Sequence, residues 1–185
     1  MGINWESIDK TDRELFPWRD ELKASSIPII HLPNFFNEKT FNTLVKRVKL
    51  LKMLSMKRSQ VDNERFKRHL YENDTEILAI QNGMARKVSE LFKTPLQVSY
   101  HFISMYHEGL GICPVHTDRL ECEFTVSVCV SQNDVWPLYV EGKQFGLNIG
   151  DALLYSGTHH IHWREQIPAN TWCDMVLFFF TRREA

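Results

Sequence analysis

From about residue 96 onward the chain is a succession of short β-branched and aromatic runs cut by glycines. No other feature constrains its fold as tightly. "VSYHFISMY", "CEFTVSVCV", "WPLYV", "QFGLNI", "DALLYSG", "HIHW" and "WCDMVLFFF" follow one another, with Gly142, Gly146, Gly150 and Gly157 among the later ones. The second run alternates strictly. Cys122, Phe124, Val126, Val128 and Val130 share one face, and Glu123, Thr125, Ser127 and Cys129 the other. Many short strands separated by regular turn signals predict an antiparallel barrel or sandwich.

The first half reads differently. "NEKTFNTLVKRVKLLKM" places Phe41, Leu44, Val45, Val48 and Leu51 at helical spacing, with Asn37 as cap and Glu38 in the first turn. "DTEILAIQNGMARKVSELFK" repeats the pattern with Ile77, Ile80, Met84, Val88 and Leu91 behind Asp74. Between the two helices, residues of about 54 to 73 are polar and basic, and are expected to form a loop near a site or a disordered connector; Lys57, Arg58, Arg65, Lys67 and Arg68 cluster there, as an exposed loop or, alternatively, part of a lid that meets an acidic substrate. Helices followed by strands predict an α+β chain with a β-barrel core. The 185 residues suffice for one sizeable domain, and neither a repeat nor a linker divides them. The expectation is a single domain over 1–185, with helical support to about 95 and the barrel over about 96–181.

A net charge of −1 gives no reason to expect nucleic acid or an anionic membrane as partner. The longest apolar run, Met175 to Phe180, is too short to cross a bilayer, and the mixed-charge start has no signal-peptide core. Four cysteines without a CxxC pairing read as buried thiols, which suits the cytoplasm.

Chemistry concentrates in two places. "HTD" puts His116 and Asp118 one residue apart ahead of a strand, and "THHIHWRE" carries His159, His160 and His162. An antiparallel barrel can fold the segment between Asp118 and His162 back on itself so that its ends meet. Two imidazoles and a carboxylate on one face of an octahedral metal leave three adjacent positions open. Upstream, Tyr100, Phe102, Ser104 and Tyr106 share a face, so that Tyr106 can offer its phenol to a bound acid.

Tyr106, Gly109, His116-x-Asp118, "WPLYV" and "GDALLYSG…HWRE" together resemble the iron(II)/2-oxoglutarate-dependent oxygenases, nearest to their prolyl-hydroxylase-like branch. The resemblance covers roughly residues 96 to 181. It implies a double-stranded β-helix, a jelly-roll buttressed by helices. It also implies Fe(II) held by His116, Asp118 and a later histidine, with 2-oxoglutarate and O2 as co-substrates. His162 is preferred over His159 and His160 because it begins a strand and directly precedes "WRE". The base that many members place about ten residues after that histidine is absent, since Trp172 stands there. Arg164, on the same strand face as His162, is the first candidate to bind the far carboxylate, and Arg119 at the mouth the second. Trp163 should point outward, against the helices. Halogenases of this superfamily lack the carboxylate that Asp118 keeps, so hydroxylation or a related oxidation of a small molecule, amino acid or peptide is expected. The alternatives are an iron enzyme of cupin type that does not use 2-oxoglutarate, and a β-barrel that binds without catalysing.

Overall fold

A computed structural model describes residues 16, 19–55, 60–62 and 64–183. Three helices and eleven strands make up the described chain. The helices are α1 (Glu21–Ser26), α2 (Glu38–Ser55) and α3 (Thr75–Phe92). Three short strands precede residue 96: β1 (Ile30–Leu32), β2 (Gln60–Asp62) and β3 (Arg68–Glu72). Then follow β4 (Leu96–Tyr106), β5 (Cys113–His116), β6 (Phe124–Gln132), β7 (Leu138–Val140), β8 (Lys143–Phe145), β9 (Ala152–Tyr155), β10 (His162–Arg164) and β11 (Cys173–Arg182).

The strands form a larger sheet in the order β1-β9-β6-β11-β4-β3-β2 and a smaller one in the order β5-β10-β7-β8, antiparallel throughout. This is the expected double-stranded β-helix with helical support. The turn between β7 and β8 is two residues long, and both Glu141 (φ 50°) and Gly142 (φ 73°) lie in the left-handed region. A tight hairpin that follows the strand twist requires that geometry.

Alternation divides the larger sheet between two environments. Ile103 and Met105 of β4, Phe124, Val126, Val128 and Val130 of β6, and Val176, Phe178 and Phe180 of β11 pack under the helices. They meet Leu44, Val48 and Leu51 of α2 and Ile77, Met84 and Val88 of α3, the faces that the spacing predicted. The intervening residues, among them Tyr106, Cys129, Cys173 and Met175, turn toward the smaller sheet.

Both expected caps are present. The Thr40 amide donates to Asn37 Oδ1 (2.9 Å), and the Glu76 and Ile77 amides donate to Asp74 Oδ1 (3.1 Å each). Asp74 also receives Arg47 of α2 through Nε and Nη2, the latter at 2.6 Å. Its own amide donates to His101 Nε2, whose Nδ1 then faces Gln81 Oε1 of α3. One buried carboxylate thus joins α2, α3 and β4. Burial opposes its charge, but Arg47 and the two amides outweigh burial and hold it below the usual carboxylate range. A depressed group contributes stability above its unfolded pKa and loses it as the pH falls. Asp74→Ala is therefore expected to cost about 2–4 kcal/mol at neutral pH. The gap from wild type should shrink below about pH 4, which urea denaturation across a pH series will measure.

Three expectations need correction. The polar stretch before α3 is not only a loop, because β2 and β3 extend the larger sheet and β3 pairs with β4 along its length (residues 56–59 and 63 lie outside the described part). The first half is accordingly not purely helical. "QFGLNI" yields a strand only as far as Phe145. Trp163 does point outward, but from the smaller sheet, where it stacks on Tyr139 (interplanar 6°) and joins Phe16 and Ile161 rather than the long helices. Among the described residues, no helix is long and apolar enough to cross a membrane.

Candidate metal site

Strand β5 ends at His116 and β10 begins at His162. The two strands are hydrogen-bonded neighbours that place these residues directly opposite one another. The 46-residue excursion from His116 to His162 therefore closes on itself, and the imidazole centroids lie 4.3 Å apart. Asp118 follows β5 in a loop fixed by its amide, which donates to Gly157 O at 2.7 Å. Asp118 Oδ1 lies 3.4 Å from His116 Nε2 and 3.7 Å from His162 Nε2. One donor atom from each of the three residues falls within 4.8 Å of the others.

The main chain orients both rings. His116 Nδ1 donates to Pro114 O (2.7 Å) and His162 Nδ1 to His160 O (2.9 Å). Each neutral ring then carries its proton on Nδ1 and turns the Nε2 lone pair toward Asp118. Two nitrogen lone pairs and one carboxylate oxygen, converging from one side, fit a divalent transition metal with open positions. Burial disfavours charge on Asp118, but His162 and His116 hold its carboxyl well below the usual range. Burial likewise disfavours a charged His116, yet Cys113 and Asp118 raise it to about 10, so a metal must displace the Nε2 proton of this ring before the lone pair is free.

The other two candidate histidines lie elsewhere. His160 is buried, accepts the Ser156 amide at Nδ1 and donates from Nε2 to Ala24 O of α1; burial lowers it to about 4. His159 faces the hydroxyls of Ser156 and Thr158.

A cavity of about 340 Å³ opens over the three donors. Tyr106, Arg164 and Arg119 all line it. Arg164 points inward beside His162 and is 4% exposed. It stacks over Trp136 (4.6 Å), donates to Trp136 O and makes no pair with Glu165. The Tyr106 phenol is buried against Trp136, and burial pushes it up, so it stays protonated. Arg119 stands at the exposed mouth and donates to Tyr100 Oη (2.8 Å). Trp172 lies outside this cavity, under Lys52, and the inward residues of β11 are Met175, Leu177 and Phe179, none of them a base.

From the sequence, Arg68 counts only among the basic residues of an exposed loop or lid, and Gly157 only as a turn residue. Arg68 of β3 enters the cavity with Leu70 and Glu72, a period-two pattern in "RHLYE" that would have revealed the strand. Gly157 lets the metal-site loop close. A Cβ placed there would lie 2.4 Å from Asp118 Oδ2, 2.4 Å from Cys122 O and 2.9 Å from Thr125 Oγ1.

No family model matches the chain, and neither does any curated protein. Solved structures do. An α-ketoglutarate-dependent epimerase of nogalamycin biosynthesis, SnoN, superposes with a TM-score of 0.70 at 10% identity, over 88% of this chain and 81% of that one. A Pseudomonas putida prolyl-4-hydroxylase gives 0.68 at 12%, over 88% and 96%. HygX from Streptomyces hygroscopicus, solved with nickel and 2-oxoglutarate, gives 0.63 at 11%, over 89% and 86%. At such identities the likeness is one of fold, and that fold is the double-stranded β-helix.

Proposed function

We propose that the chain is an iron(II)- and 2-oxoglutarate-dependent oxygenase acting on a small molecule, amino acid or peptide. The observation that carries this reading is the convergence of His116 Nε2, His162 Nε2 and Asp118 Oδ1 at a cavity whose wall bears a buried guanidinium. The fold shared with 2-oxoglutarate-dependent proteins supports it, as does the nickel and 2-oxoglutarate bound by HygX. When bound, Fe(II) and 2-oxoglutarate would supply the activation of O2, with succinate and CO2 as by-products of substrate oxidation.

The protein's own share is positioning. His116, His162 and Asp118 would hold the metal through donor atoms that lie within 4.8 Å of one another. Arg164 would offer the far carboxylate of the diacid a rigid fork of donors, which offsets the missing base on β11. The neutral Tyr106 phenol lies on the same wall and adds a hydrogen-bond donor. Phe66, Tyr155, Met175 and Leu177 line the remaining wall and keep water from the reacting centre. Hydroxylation is favoured because Asp118 retains the carboxylate. HygX has also been solved with hygromycin B, a small-molecule precedent on this fold. The four buried free thiols support a reducing compartment such as the cytoplasm.

The test is anaerobic addition of Fe(II) and then 2-oxoglutarate, watched for the weak visible charge-transfer band of the chelate. Wild type should develop the band. Arg164→Met should need about 10–100-fold more 2-oxoglutarate, the worth of one charged hydrogen-bonded contact. Stoichiometric iron with no band at millimolar 2-oxoglutarate would replace this reading with an iron enzyme that does not use the diacid.

A further inference from the structure

The cavity holds one more buried positive charge than the proposed chemistry uses. Arg164 and Arg68 both line it, and among the described residues neither makes an ion pair. A divalent metal and Arg164 together balance the Asp118 carboxylate and a dianionic co-substrate. Arg68 remains. A buried cation without a counter-charge is costly to keep, so its presence calls for an anion.

Arg68 is built to receive one. It is 8% exposed, and its guanidinium stacks 4.0 Å over the Phe66 ring with Phe102 at 5.1 Å. Nη1 donates to Ser104 Oγ (3.1 Å) and reaches the Tyr106 hydroxyl at 3.5 Å. Nε is buried with no hydrogen-bond partner among the described residues. Ring, hydroxyl and strand therefore hold the fork in place and leave part of it unused. The two acids on the wall do not answer it. Asp118 faces the two imidazoles, and Glu72 stands exposed at the end of β3. Arg65 and Arg119 line the outer part of the same cavity and extend the positive field to its mouth.

We propose that Arg68 is the specificity residue for the primary substrate, a small molecule that carries a carboxylate or phosphate group. The proposal rests on the oxygenase reading and deepens it. The fork suits either oxyanion, because both offer two coplanar acceptors.

The experiment uses the full chain loaded with Mn(II) and N-oxalylglycine, an unreactive analogue of 2-oxoglutarate. Calorimetry first records both loadings; if wild type takes up neither, the oxygenase reading fails and not the substrate assignment. Inorganic phosphate is then followed by ³¹P relaxation and fluoroacetate by ¹⁹F relaxation, since Mn(II) broadens only anions held near it. Wild type should show saturable broadening of at least one probe. Arg68→Met should weaken that binding at least tenfold while Mn(II) and N-oxalylglycine loading stay unchanged. Arg68→Lys, which keeps the charge without the fork, should fall between them and covers the case in which the methionine variant does not fold. The proposal is overturned by wild type without saturable broadening, by equal broadening in wild type and variants, or by loss of N-oxalylglycine binding in Arg68→Met. The last result would make Arg68 the anchor of the diacid.

Discussion

Asp118→Ala is expected to abolish stoichiometric binding of divalent metal, with Kd rising at least about 1000-fold, or ~4 kcal/mol. The carboxylate is the single anionic donor of the three, and its Oδ1 lies within 3.7 Å of both Nε2 atoms. Removing a supporting hydrogen-bond partner from a metal site already costs about 10–100-fold, so loss of a direct donor should cost more. The fold should survive, because the loop is anchored by the Asp118 amide on Gly157 O, a main-chain contact that alanine preserves. Competition against a chromophoric chelator measures the change. A variant that binds within tenfold of wild type would remove Asp118 from the site.

The second large effect is expected at a residue with no side chain. In Gly157→Ala the new methyl would overlap Asp118 Oδ2 and Cys122 O, both at 2.4 Å. The carboxylate can rotate away, but the carbonyl belongs to the turn just before β6 and cannot move without its backbone. Relief must come from displacement of the Asp118 loop or of the turn between β9 and β10. Overpacking of this kind costs about 1–3 kcal/mol of stability. Because the displaced group is a proposed ligand, metal affinity should fall as well, by about 10–100-fold. Thermal melts with and without metal separate the two effects. The metal-induced rise in Tm should shrink more than the melting temperature of the apo protein. An alanine variant with wild-type metal affinity would show that the loop tolerates the methyl.

Much of this was legible in the sequence where a single local rule decides the outcome. The helices α2 and α3 were readable because their apolar spacing and their caps, Asn37 and Asp74, agree. The long strands were readable because β6 alternates without interruption. Barrel topology allowed the ends of the segment from Asp118 to His162 to meet, while the choice of His162 over His159 and His160 rested on the resemblance of "HWRE" to the oxygenase pattern and on its place at the start of a strand. What escaped depended on contacts distant in sequence. Strand β3 is five residues of mixed polarity that gain strand structure by pairing with β4, and its composition alone favoured a loop. Arg68 was expected in an exposed loop or lid with its basic neighbours, and its burial was not legible because a basic residue in an assumed loop carries no signal of burial. Trp163 was placed against the wrong layer because alternation gives a direction, while the partner on that side, Phe16, comes from the far end of the chain.

The carbonyls that orient His116 and His162 belong in both cases to the residue two positions earlier, Pro114 and His160. Each ring therefore takes its tautomer and its tilt from the stretch of chain just before it. No point substitution can delete an orienting acceptor, since every residue type carries one. Sites that lean on a neighbouring aspartate or glutamine for this task expose a further position to genetic loss. Here mutational fragility should concentrate in the three donors and Gly157. Position 114 should tolerate changes of side chain for as long as its backbone stays extended, whereas His160 is held besides by its own ring contacts to the Ser156 amide and Ala24 O.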